Sequence, residues 1–262
     1  MNSLGFNKKE NDTKVIVAMS GGVDSSVAAV KLKMEGYDVT GVTLRLYNQS
    51  NSSKSKSCCA GIDINDAKKV ANQYDFPHKV FDYQDKFFNG VISNFVESYA
   101  NGETPVPCIQ CNQTVKFSDL LEESKNLNAD TLVTGHYAIR KGGLRESKLF
   151  KAKDKKKDQS YFLFATLQDQ LDYVRFPLGN YLKSEIRQMA NDYNLVVSDK
   201  PDSQDICFVT SDSYRVLINK MQPDINKEGN IFDIHGNKIG VHKGIANYTI
   251  GQRKGVGVGG QD

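Results

Sequence analysis

Lys14-Val-Ile-Val-Ala-Met-Ser-Gly-Gly-Val-Asp-Ser-Ser26 is the stretch on which the reading of this chain turns. Lys14 to Met19 is a short apolar run after a polar stretch and predicts a buried strand. Ser25 to Glu35 carries Val27, Val30, Leu32 and Met34 as the apolar positions of a helix, with Gly36 as a C-terminal stop. Between the two, Gly21 and Gly22 let backbone amides approach an anion without interference from Cβ. Ser20, Ser25 and Ser26 add hydroxyls, and the helix start adds unpaired N–H groups and the positive end of its dipole. The combination predicts a phosphate cradle. No Gly-Lys-Ser/Thr follows, so the pattern is not a Walker loop. Asp24 is the acid of this loop suited to a Mg2+ ion, with helix capping as the plainer alternative.

Working outward, Val39 to Leu46 is rich in β-branched residues and predicts a second strand. Strand, helix and strand at this spacing predict a parallel right-handed crossover. Asn48 to Ser57 is polar and predicts a loop; Asp63 to Tyr74 predicts a helix with an acid near its start, and Pro77 ends it. Lys79 to Phe81 predicts a short strand, Gln84 to Ala100 a helix broken by Gly102 to Pro107, Asn112 to Lys125 another helix, and Thr131 to Thr134 a strand. The alternation implies an α/β fold: an open parallel sheet with helices on both faces. In such a sheet a nucleotide sits at the carboxyl ends of the strands, where Leu44 and Gly135 fall. Tyr161 to Phe164 reads as a short strand or buried segment, and Ser184 to Tyr193 as a helix. From Gly229 the texture becomes β-rich; Ile231–Ile234 and Lys238–Val241 flank a His235-Gly236-Asn237 turn. The boundary is expected at Ser213 to Gln222, giving domains 1–215 and 216–262, the second small and β-rich.

The 262 residues suffice for one large and one small domain, with 39% hydrophobic and 25% charged residues. No apolar run reaches membrane length, and Met1 to Thr13 has no apolar signal core. The expectation is a cytoplasmic chain with a frayed N-terminal tail. The net charge of +3 favours no particular partner, but Lys148, Lys151, Lys153, Lys155, Lys156 and Lys157 crowd together with only Asp154 among them. Alone, such a run reads as a solvated loop; ahead of Lys157-Asp158-Gln159 it suggests phosphate contacts, which Lys116, Lys183 and Arg187 could extend. Gly251-Gln-Arg-Lys-Gly255 is either another RNA contact or an exposed turn.

Five cysteines, an odd number, argue against a disulfide framework. Cys58 and Cys59 stand in the polar loop and read as incidental. Cys111 falls near the expected helix start at Asn112, where the dipole favours a thiolate. Cys207 is either a buried small hydrophobe or a second reactive thiol. Cys108, Cys111 and Cys207 together would also suit an iron–sulfur cluster or a zinc site, an alternative that the residues leave open.

The Ser20–Ser26 segment resembles the PP-loop of ATP pyrophosphatases, of the adenine nucleotide alpha hydrolase-like fold. Pro105-Val-Pro-Cys-Ile-Gln-Cys-Asn112, Val115-Lys-Phe117, Thr134-Gly-His-Tyr137, Lys157-Asp-Gln-Ser-Tyr-Phe-Leu163, Asp202-Ser-Gln-Asp-Ile-Cys-Phe208 and Tyr248-Thr-Ile-Gly-Gln-Arg-Lys-Gly255 follow in the order found in bacterial tRNA-specific 2-thiouridylases. The resemblance implies ATP-dependent 2-thiolation of a wobble uridine, with adenylation of its 2-oxygen and sulfur from a cysteine persulfide. It implies ATP contacts at Ala18, Met19, Ser20, Gly21, Gly22, Val23, Asp24, Ser25, Leu44 and Gly135. Cys111 would be the nucleophile and Cys207 the persulfide carrier; the two could close a disulfide. Val106, Pro107 and Cys108 would border the target base, His136 would sit near it, and Lys157, Asp158 and Gln159 would touch tRNA. The implied partners are tRNA and a cysteine desulfurase or sulfur-relay protein. Many members carry Asp where this chain has Cys108, and members continue into a C-terminal β-barrel beyond Asp262, so weaker tRNA binding is expected here.

Overall fold

The computed structural model describes residues 1–47, 60–202, 206–209 and 213–258; Cys58, Cys59 and the Asn48–Ser57 loop lie outside them. β1 (Lys14–Ala18) runs at the centre of a five-stranded parallel sheet. Its neighbours are β2 (Asp38–Arg45), then β3 (His78–Asp82), on one side, and β4 (Thr131–Thr134), then β7 (Val174–Arg175), on the other. The register is Val15 opposite Val39 and Thr131. The chain therefore reverses its winding direction at β1 and leaves a crevice at the carboxyl ends of β1 and β4.

Alternation along β1 divides the core. Val15 and Val17 face one way, against α1 (Val23–Met34), α2 (Ala60–Gln73) and α8 (Lys183–Asp192), through Val27, Val30, Val70, Ile186 and Ala190. Ile16 faces the other way, with Leu132 and Val174, against Phe117, Leu120 and Leu163. α1 ends at Met34, with Glu35 as its C-cap and then Gly36, whose φ of +94° suits glycine.

On the second face, α3 (Gln84–Phe87), a π-helical turn (Phe88–Ile92) and α4 (Ser93–Ala100) run on end to end. So do α5 (Pro107–Cys111), a second π-helical turn (Asn112–Asp119) and α6 (Leu120–Asn126). The second run starts at Pro107, earlier than the expected Asn112. Proline breaks a helix interior but is preorganised for the first helical position.

β5 (Ala138–Lys141) and β6 (Lys148–Lys151) form an antiparallel hairpin, so part of the lysine run is strand. Tyr161 to Phe164 is no strand: Ser160–Leu163 is a 3-10 turn that buries Leu163 and turns Tyr161 and Phe164 outward. α7 (Gln168–Tyr173) leads into β7. α9 (Tyr214–Met221) packs Ile218 against Phe95 and Tyr99 of α4 and against Ala246. β8 (Gly229–Phe232) and β9 (Lys238–His242) form the expected hairpin; the Asp233 carboxylate accepts from the His235 and Asn237 amides, each at 2.8 Å. No helix among the described residues is long and apolar enough to cross a membrane.

The N-terminal residues are not frayed. Leu4 and Phe6 are both 7% exposed and join the core against α1 and α2. The Arg175 guanidinium donates to the Leu4 carbonyl at 2.7 Å and lies over the Phe6 ring, 4.8 Å from its centroid. A polar composition hid two apolar anchors whose partner lies on β7. Phe6→Ala should therefore cost about 3 kcal/mol of stability. A urea melt shifted by less than about 1 kcal/mol would mean that the tail is loose in solution.

Candidate active site

β1 ends at Ala18, and Met19 still pairs with the sheet, its amide donating to Val42 O at 2.8 Å. The Met19 and Val23 side chains are buried, so only their backbone can face a ligand. Gly22 is the N-cap of α1 and has no side-chain cap, leaving the first-turn N–H groups without intrahelical acceptors. Ser26 Oγ donates back to Gly22 O at 2.8 Å, and Ser25 Oγ accepts from Ser20 N at 3.1 Å. The serines thus hold the loop's shape more than they project from it.

Gly21 has φ of +73°, and a Cβ there would lie 2.2 Å from Asp63 O of α2. Its carbonyl accepts from Lys200 Nζ at 2.9 Å, and the same ammonium donates to Asp63 at 2.6 Å and Asp66 at 2.8 Å. Burial works against the charge on Lys200, but these two carboxylates outweigh it and raise its pKa. A Cβ at Gly135 would lie 2.9 Å from Ser25 N, so glycine lets the end of β4 rest on the first turn of α1. At Gly22 a Cβ would meet only Ser20 Oγ, 3.4 Å away. The open side of the cradle lies there. Main-chain donors at a helix start with room above Gly22 fit a polyphosphate.

Asp24 neither caps α1 nor stands ready for a metal: Lys183 Nζ donates to its two oxygens at 2.7 and 2.8 Å, and Tyr137 OH to Oδ1 at 2.7 Å. Burial, and then the Asp24 charge, raise the pKa of Tyr137. Lys183 also pairs with Asp202 at 3.0 Å, and Asp202 takes Arg187 at 2.6 Å and Lys157 at 2.7 Å. Desolvation would raise the Asp202 pKa, but these three cations hold it well below the usual carboxylate range. Lys183, 13% exposed, and Arg187 therefore belong to an ion network and do not extend a surface patch. Lys116 is likewise engaged, donating to Asn112 Oδ1 at 3.0 Å. Sequence reading missed Tyr137, Asp63, Asp66 and Lys200 as parts of this arrangement. What joins them to it is contact between residues remote in sequence.

Leu44, near the end of β2, is half-buried beside Phe81. His136 Nδ1 lies 2.7 Å from Thr134 Oγ1, and the ring packs edge-on against Phe117 and Phe176. Burial, with some help from Lys116, pushes its pKa down to about 3, so the imidazole is neutral. Gln159 is fastened to Tyr137 by two bonds, its side chain accepting from Tyr137 N at 2.9 Å and its amide donating to Tyr137 O at 2.8 Å. Asp158 turns inward and accepts from Ala152 N and Ser160 Oγ, each at 2.8 Å. Lys151, Lys155 and Lys156 are exposed, while Lys153 pairs with Glu185.

Val106 is the N-cap of α5, Pro107 its first residue and Cys108 its exposed second. Cys111 lies a turn further on and is buried; burial pushes its thiol up against the opposing pull of Lys116. The expected dipole-activated thiolate at a helix start is thus corrected, because the helix begins earlier and desolvation wins. Cys207 is exposed. Its neighbour Phe208 is buried with Cys111 in one cluster, edge-on to Phe87 at 5.7 Å and Phe95 at 5.3 Å, with Ile206 and Val209 packed alongside. The structure thus brings the two cysteine-bearing segments together at the carboxyl edge of the sheet, where Leu44, Phe81 and Tyr83 also pack. Among the described residues no three His, Cys, Asp or Glu side chains converge where they could hold a metal ion, so Cys108, Cys111 and Cys207 form no such group.

Two family models match this chain: a tRNA methyl transferase HUP domain over residues 13–211 and a tRNA methyl transferase PRC-barrel domain over residues 218–262. The tRNA-specific 2-thiouridylase MnmA of Dinoroseobacter shibae is 53% identical over 99% of this chain and 68% of that protein. The protein of the same name from Jannaschia sp. is 54% identical over 100% of this chain and 70% of that one. Among solved structures, NMN synthetase from Francisella tularensis aligns with TM-score 0.44 and 16% identity over 80% of this chain and 77% of that one.

Gly22→Ala should fold as the parent does and bind ATP at least roughly tenfold more weakly, the equivalent of about 1.4 kcal/mol. Calorimetric titration showing parental affinity in a folded variant would remove the cradle from the site. The His136 imidazole should show no titration by NMR between about pH 8 and pH 5. A midpoint in that interval would mean that the ring is solvated and able to act as a base.

Proposed function

This chain belongs to the family of the tRNA-specific 2-thiouridylases, and from that premise we propose that it replaces the 2-oxygen of a tRNA wobble uridine with sulfur, using ATP and a persulfide on Cys207. One observation carries the site reading: the buried cluster that joins Cys111 to the Cys207 segment sits at the same sheet edge as the glycine cradle. Methyl transfer, named in the family models' description, calls for neither a phosphate cradle nor two cysteines.

A uridine carbonyl is a poor electrophile with no leaving group. ATP supplies one by adenylating the oxygen, with release of pyrophosphate. The backbone from Gly21 to Ser25 would hold the phosphates, with Ala18 and Leu44 beside the nucleotide and Gly135 letting β4 close against α1. Mg2+ belongs to this proposal, and at Asp24 it would displace the Lys183 ammonium. Val106, Pro107 and Cys108 would border the base, with neutral His136 close to them. Lys157 and Gln159, with exposed Lys151, Lys155 and Lys156, would meet RNA phosphates. Asp158 would act by shaping that loop.

The outer sulfur of the Cys207 persulfide attacks C2, and AMP departs with the former 2-oxygen. The Cys111 thiolate then attacks Cys207 Sγ. The sulfur–sulfur bond breaks, its electron pair stays with the sulfur on the base, and a Cys111–Cys207 disulfide forms. An external dithiol reductant restores both thiols, and a cysteine desulfurase or relay protein reloads Cys207. A buried thiol with a raised pKa is a poor nucleophile. Its attack on Cys207 would therefore need a base to take the Cys111 proton.

The test is mass spectrometry of tRNA incubated with ATP, Mg2+ and a sulfur donor. The parent should give an oxygen-to-sulfur exchange on the wobble uridine. Cys207→Ser should release pyrophosphate without transferring sulfur, Cys111→Ser should strand sulfur on Cys207, and Cys108→Ser should stay active as metal-free protein. Iron-dependent activity lost equally in all three variants would overturn the persulfide assignment.

A further inference from the structure

The 3-10 turn Ser160–Leu163 follows directly on Lys157-Asp158-Gln159. Leu163 anchors it in the core beside Phe117, a ring that also packs on His136. Asn112 Nδ2 donates to the Phe162 carbonyl at 3.0 Å and ties the turn to the helical run that carries Cys108 and Cys111. Gln159 fastens its other end to Tyr137. On this fixed base two aromatic rings face solvent: Tyr161 is 64% and Phe164 67% exposed. Their centroids are 6.0 Å apart and their planes 41° from one another. Leu167, also exposed, lies beyond them at the edge of a groove lined by Gln113, Thr114 and Ser118. Exposed Lys151, Lys155 and Lys156 precede the turn in the sequence.

Large aromatic side chains left in water on a braced turn have no part in the core. Solvated rings on a turn that follows a run of exposed lysines match unstacked nucleobases on a phosphate backbone better than they match an apolar protein surface. We propose that Tyr161 and Phe164 form a stacking platform for the single-stranded bases next to the uridine being modified. The inference rests on the thiolation reading and adds a contact to it. A target base drawn out of the anticodon stack leaves its neighbours without a stacking partner, and the platform supplies one beside the turn that leads to His136 and the Cys108–Cys111 helix. Because every base has a π face, the platform tolerates different anticodon sequences.

The test uses an anticodon stem-loop RNA with 2-aminopurine next to the target uridine. Binding to the full chain should quench the fluorophore. Tyr161→Leu and Phe164→Leu, at exposed positions, should fold normally, lose most of the quench and weaken RNA binding roughly 5- to 150-fold each, with the salt slope unchanged. Tyr161→Phe should keep both affinity and quench. Parental affinity and quench in the two Leu variants, with the parent still thiolating tRNA, would overturn the platform alone. A parent that neither binds nor thiolates the RNA would overturn the thiolation reading and the platform with it. Variants that bind RNA normally but lose affinity for a cysteine desulfurase would show the patch to be a protein-docking surface, which also overturns the proposal.

Discussion

The left-handed backbone of Gly21, pressed against the start of α2, is the constraint on which the site depends. A Cβ there would overlap Asp63 O, so the loop can turn from β1 into α1 only as glycine. Lys200 locks the turn by binding the Gly21 carbonyl together with Asp63 and Asp66. With that carbonyl bound to the ammonium, the first N–H groups of α1 remain without an acceptor in their own helix. The cradle is therefore built from three parts of the chain: the β1–α1 turn, the first turn of α2 and the segment after α8.

A second set of charges sits on the other side of the loop. Asp24 and Asp202 share Lys183, and Asp202 also holds Arg187 and Lys157. Lys157 belongs to the loop that precedes the 3-10 turn, and Asp202 leads toward Cys207. A change of charge at Asp24 would thus be felt, through one shared ammonium, at Asp202 and at the cations that Asp202 holds. Desolvation works against the charge on Asp202, but Lys157, Lys183 and Arg187 outweigh it and keep that carboxylate ionised through the neutral range.

Apolar packing does for sulfur what charge does for phosphate. Phe208 is held edge-on by Phe87 and Phe95, and the same cluster buries Cys111. Ile218 and Ala246 of the C-terminal part join it, so α4 serves as the floor on which the hairpin-bearing region rests. Desolvation leaves the Cys111 thiol and the His136 ring neutral.

The order of strands and helices around β1 and the glycine turn between β1 and α1 were legible in the sequence, because each is written in a few consecutive residues. Val15, Ile16 and Val17 announce a strand buried on both faces, and Gly21-Gly22 announces a turn that needs free backbone. What the tertiary structure alone decided are the contacts between residues remote in sequence. Asp24 looked suited to a metal, and its carboxylate holds Lys183, 159 residues away. Cys111 looked like a dipole-activated thiolate, but the helix begins at Pro107 and the cluster closes over the sulfur. Tyr161 to Phe164 carries the composition of a strand and becomes a 3-10 turn, because only Leu163 finds a place in the core. Local pattern fixes backbone preference within a turn or two. Charge pairing, desolvation and the choice of which apolar side chains are buried depend on what the rest of the chain brings alongside.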